Sequence, residues 1–90
     1  MTLSNDILIQ NKRGLHARAS AKLVRLAEKF DAEVTVIKAD VRVTGTSIMG
    51  LLLLAASKGE QVTNETAGPE KQEAMEAVIA LINNRFDEEQ

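Results

Sequence analysis

The only histidine of the chain, His16, lies within Gly14-Leu15-His16-Ala17-Arg18, where a glycine-containing turn gives way to a helical pattern. No Ser, Thr, Asp or Asn stands at Leu15 or His16 to cap that helix in the ordinary way. The amides around Ala17 and Arg18 are therefore candidates to stay free for an outside acceptor. A helix start attracts anions, phosphate foremost. A neutral imidazole there offers a nucleophilic nitrogen, which suits attack on an electrophile such as phosphorus. Once phosphorylated, His16 would carry about two negative charges, which the helix start and Arg18 could share. Residues two apart do not face each other in a regular helix, so help from Arg18 requires His16 to precede regular geometry. The plainer reading of a lone histidine at a helix start is a surface residue or a cap of its own.

A second block, Ser47-Ile48-Met49-Gly50-Leu51, also begins a helix. Serine is a favoured N-cap, and Thr46 competes with Ser47 for that position. A phosphate on Ser47 is compatible with the same position, because phosphate is favourable at a helix start. Ile48, Met49, Leu51, Leu52, Leu53 and Leu54 leave this short helix almost no polar face. A surface helix cannot bury every direction, so some of these residues should form an exposed apolar patch. Ile48, Met49, Leu51 and Leu52 are the expected partner contacts, with the flexible Met49 thioether best able to adapt. Lys22, Arg25 and Lys29 would supply a charged rim for acidic partners. The competing reading sinks the helix in the core and leaves those cations merely solvated.

The elements that must position these residues follow from periodicity. Ile7 and Ile9 share one face of a first strand, Leu3 to Ile9. Asn11 to Gly14 is a polar turn. Ala19, Leu23, Leu26, Ala27 and Phe30 recur at helical spacing, which predicts a helix over His16 to Phe30. Val34 and Val36, then Val41 and Val43, alternate across the short Ala39-Asp40 turn and predict an antiparallel hairpin. The second helix is predicted from Ile48 to about Ser57, with Gly59 as its stop. Gln61 to Ala67 is a weak strand held by Val62. Pro69 suits the first position of a third helix, with Glu70 and Glu73 near its positive end and Arg85 near its negative end. Its buried stripe is Ala74, Ala77, Val78, Leu81 and Ile82. The order β-α-β-β-α-β-α makes an α+β domain.

Composition narrows the chemistry. Ninety residues make one small core, a single domain over residues 1–90. A net charge of −2, with Phe30 and Phe86 the only aromatics, disfavours nucleic-acid binding. The absence of cysteine excludes disulfides, thiol nucleophiles and thiolate metal sites. One histidine leaves zinc to carboxylates, so neither a metal nor a cofactor is expected. The start MTLSNDILIQ lacks signal-peptide character, and the apolar stretch Ile48 to Ala56 falls short of the roughly 18 residues of a membrane span. A cytoplasmic monomer without membrane insertion is expected.

The two blocks, in register with chain length and element order, resemble the HPr family of histidine phosphocarriers of the bacterial phosphoenolpyruvate-dependent phosphotransferase system, including the nitrogen-related NPr paralogues. The resemblance implies an open-faced β-sandwich, a four-stranded antiparallel sheet covered on one face by three helices. It implies a carrier and not an enzyme. His16 would accept phosphate on Nδ1 from phosphorylated enzyme I, with phosphoenolpyruvate as source, and pass it to an enzyme IIA component. Arg18 would stabilise the phosphate, and Ser47 would be a regulatory site for an HPr serine kinase/phosphorylase. Two departures stand out. Ala19 replaces the family's usual proline, which loosens the loop without removing a reacting group. Thr46 stands where many relatives have lysine, which bears on kinase recognition. The alternative is a small acyl-phosphate or phosphate-ester hydrolase on a ferredoxin-like fold, with Arg13 holding phosphate and Asn11 positioning water. It leaves both blocks unexplained.

Overall fold

The computed structural model describes residues 1–88. Its elements run β1 (Leu3–Leu8), α1 (Ala17–Ala27), β2 (Glu33–Lys38), β3 (Val41–Thr44), α2 (Ile48–Leu54), β4 (Gln61–Ala67) and α3 (Lys71–Asn83), then one tight turn at Arg85–Asp87. The four strands form one antiparallel sheet in the order β1-β4-β2-β3. β4 is last in sequence but central in the sheet, with Val62 opposite Ile7 and Asn64 opposite Val36.

Alternation decides which face is covered. Ile7, Val34, Val36, Val62 and Thr66 are buried beneath the helices, whereas Thr35, Thr63 and Glu65 point the other way and keep solvent contact. The helices contribute Ala19, Leu23 and Ala27 from α1, Leu51 and Leu54 from α2, and Ala74, Val78 and Ile82 from α3 to the same core. The expected open-faced α+β architecture is the one observed.

Several boundaries differ from those read in the sequence. α1 gives out after Ala27, because Lys29 and Phe30 turn back to the carbonyls of Leu26 and Ala27 in tighter, three-residue bonds. Pro69 lies in the turn before α3, not at its first position, and Arg85 sits past the helix end. Within α3, Met75 is buried while Ala77 and Leu81 are only half-buried.

The largest difference is α2, which stops at Leu54, not near Ser57. Ala55 takes a left-handed conformation (φ 50°), and Lys38 Nζ reaches across from β2 to the carbonyls of Leu54 (3.1 Å) and Ala55 (3.2 Å). A cation on the last carbonyls satisfies the helix end from outside. Glu60 completes the cluster with a 3.0 Å ion pair to Lys38. The Ser57 amide and Lys38 both hold the Glu60 carboxyl below its ordinary range.

Candidate functional site

The loop before α1 is built on Gly14 and Asn11. Gly14 has a φ of +64°, and a Cβ there would stand 2.3 Å from the Ala56 carbonyl oxygen, so no larger residue fits. That carbonyl accepts the Leu15 amide at 2.9 Å, which ties the loop to the segment following α2. Asn11 is fully buried, and its amide nitrogen donates to Gly14 O (2.8 Å) and to Glu88 Oε1 (3.0 Å).

His16 follows as the N-cap of α1, with extended backbone (φ −80°, ψ −178°). Its Nδ1 accepts the Arg18 amide at 3.2 Å, and its carbonyl accepts the Ser20 amide at 2.9 Å. Nε2 bonds to Glu88 Oε2. His16 therefore precedes regular helical geometry, as help from Arg18 required. The Arg18 amide is not left free: the imidazole itself caps it. The Arg18 side chain is exposed and makes no ion pair among the described residues.

Glu88 went unread in the sequence, and no spacing signal could have found it. Burial disfavours its charged form. The hydrogen bonds from Asn11 and His16, with the nearby charge of Arg13, outweigh that and hold the carboxyl below its ordinary value. A glutamate in this state is an acceptor only, so the Nε2 it engages carries the proton. Nδ1 is left with its lone pair at the start of α1.

The second block matches its capping reading. Ser47 is the N-cap of α2, its Oγ accepting the Gly50 amide at 3.0 Å, while Thr46 Oγ1 instead meets Thr44 Oγ1. Gly50 lets α2 lie close on β3, since a Cβ there would come within 2.9 Å of Val43.

Of the expected contact residues, Ile48, Met49 and Leu52 are exposed, at 41%, 71% and 36%. Leu51 is not. It is fully buried, because together with Leu54, three residues on, it forms the face of α2 that meets the core. Leu53, at 75%, joins the exposed patch instead. Lys22 also leaves the expected charged rim, since its Nζ donates to the Phe86 carbonyl at 2.8 Å; Arg25 and Lys29 are exposed. Met49→Glu is accordingly expected to leave the unfolding temperature within a few degrees of wild type, while Leu51→Glu should unfold the protein. Thermal melts of the two variants check this contrast.

Asn11, assigned to water positioning in the hydrolase alternative, is committed to Gly14 and Glu88 and faces no open space. Among the described residues no helix is long and apolar enough to cross a membrane.

Residues 3–84 match the family model described as PTS HPr component phosphorylation site. With the observed fold, that match defines the class: a phosphocarrier of the phosphotransferase system. The chain is 54% identical over 86 residues to the phosphocarrier protein HPr of Cupriavidus necator, covering 96% of this chain and 97% of that one. It is 42% identical over 90 residues to the phosphocarrier protein NPr of Escherichia coli K12, covering 99% and 100%. The crystal structure of HPr-C-His from Thermoanaerobacter tengcongensis superposes with a TM-score of 0.93 at 39% identity, over 98% of this chain and 99% of that one. The chain belongs to the HPr family.

Proposed function

We propose that the protein carries a phosphoryl group on His16 Nδ1, taken from phosphorylated enzyme I and passed to an enzyme IIA component. The observation that carries this reading is the division of labour on one imidazole. Nε2 is bound to an ionised carboxylate, while Nδ1 keeps its lone pair facing the Arg18 amide. In the transfer, the Nδ1 lone pair attacks phosphorus as the donor's bond to phosphorus breaks, its electron pair leaving with the donor atom. The Arg18 amide then passes from Nδ1 to a phosphoryl oxygen, and the exposed guanidinium of Arg18 adds a charged donor. The protein makes no product by itself, and one small domain suffices as a monomer. Incubation with phosphoenolpyruvate and enzyme I, followed by mass mapping, is expected to place one phosphate on His16. Phosphate elsewhere, or none, would refute the reading.

Enzyme I docks on the patch of Ile48, Met49, Leu52 and Leu53, which lies on the helix leading into the segment that braces the His16 loop. Regulation by an HPr serine kinase/phosphorylase would act at Ser47, beside that patch. Phosphate there adds about 1.5 to 2 negative charges at a surface that must lose water on docking. Each 1.4 kcal/mol of that cost weakens binding about tenfold. Phosphoserine at position 47, or Ser47→Asp more weakly, is expected to slow His16 phosphorylation about tenfold or more. Ser47→Ala should stay active and lose about 0.5–2 kcal/mol of stability, the value of a cap. Equal acceptance rates for the phosphorylated and unmodified proteins would reduce Ser47 to its capping role.

A further inference from the structure

We propose that Glu88 is a positioning residue for phosphoryl transfer: through Nε2 of His16 it fixes the ring tautomer and orientation that present Nδ1 to phosphorus. A neutral imidazole has one donor nitrogen and one acceptor nitrogen. Here the Arg18 amide can only donate to Nδ1, and the Glu88 carboxylate can only accept from Nε2, so both contacts select the same tautomer. The carboxylate is itself held. Its other oxygen takes the Asn11 amide at 3.0 Å, and Asn11 is fully buried and bonded to Gly14 of the same loop. Behind it, Phe86 is fully buried and its carbonyl accepts Lys22 Nζ at 2.8 Å, which anchors the chain that delivers Glu88.

The chemical consequence comes as the Nδ1–P bond forms. The donor's bond to phosphorus breaks with its electron pair, the Nε2 proton stays on His16, and the ring gains positive charge. A carboxylate on Nε2–H offsets that charge, as the buried aspartate does behind the histidine of a serine-protease triad. The kinetic part of this inference rests on the carrier reading of His16; the ring geometry does not.

The test compares full-length Glu88→Ala and Glu88→Gln with wild type by ¹⁵N-edited NMR of the imidazole and by the rate of phosphorylation by phosphorylated enzyme I. Wild type should show the Nε2-protonated tautomer, with a ring proton protected from exchange. Glu88→Ala should lose that proton signal, move both ring nitrogens towards the tautomer average, and accept phosphate about tenfold more slowly at saturating enzyme I, equivalent to about 1.4 kcal/mol in the barrier. Glu88→Gln keeps an acceptor oxygen, so it should retain the tautomer and recover part of the rate. Wild-type ring resonances in Glu88→Ala would overturn the proposal, as would an altered ring with an unaltered rate. Should wild type accept no phosphate at all, the carrier reading falls, and the ring resonances alone decide for or against Glu88.

Discussion

Replacing His16 with alanine or asparagine is expected to reduce phosphoenolpyruvate-dependent labelling to background while the fold survives. The chain has no second histidine and no cysteine, so no other side chain offers a comparable neutral nucleophile. Neither the helix start nor Arg18 can form the bond to phosphorus, and removing the attacking atom leaves them with nothing to stabilise. The structural cost should be small. His16 is half-buried, and its main local role is to cap the Arg18 amide at 3.2 Å. Losing a cap costs about 0.5–2 kcal/mol in the alanine variant. Asparagine is itself a preferred N-cap, so His16→Asn should melt close to wild type. Label on a well-folded His16→Asn protein would show that another residue takes the phosphate.

The parts of this molecule that were legible in the sequence are those with a local cause. Val34 and Val36 alternate with polar residues because one face of β2 meets the helices, and the hairpin across Ala39-Asp40 follows from two short alternating runs. Gly14 and the lone His16 mark the candidate site because a left-handed glycine and a helix start are both local features. What stayed hidden depends on distant partners. No glycine or proline interrupts Leu51 to Ser57, so the pattern alone carries α2 on to Ser57, and its stop is supplied by Lys38, 16 and 17 positions away in sequence. Leu51 and Leu52 are alike in composition, and only the placement of α2 over β3 sends one inward and the other out. Glu88 reaches His16 across 72 positions, which no spacing rule could register.

The same nonlocality makes Phe86 the side chain whose loss should cost stability most. Arg85, Phe86 and Asp87 all take left-handed backbone conformations, with φ of 57°, 53° and 63°. None is glycine, and such a conformation is unfavourable for L-residues by roughly 1–2 kcal/mol each. Something must hold the turn closed. Phe86 is fully buried in the core shared by the three helices, and Lys22 from α1 grips its carbonyl. Phe86→Ala is therefore expected to lose about 3–5 kcal/mol from the cavity and the forfeited burial. A domain of this size holds roughly 5–15 kcal/mol in all. The midpoint of thermal unfolding should fall by at least about 12 °C, taking about 4 °C per kcal/mol as the lower bound for a chain of this length. The turn is then free to relax, so Glu88 should leave His16 and the protected ring proton should vanish even below the unfolding temperature. Phe86→Leu, which refills most of the volume, should recover much of both. A Phe86→Ala protein that melts within a few degrees of wild type would show that the turn is held by the Lys22 contact and its neighbours, with the ring only a passenger.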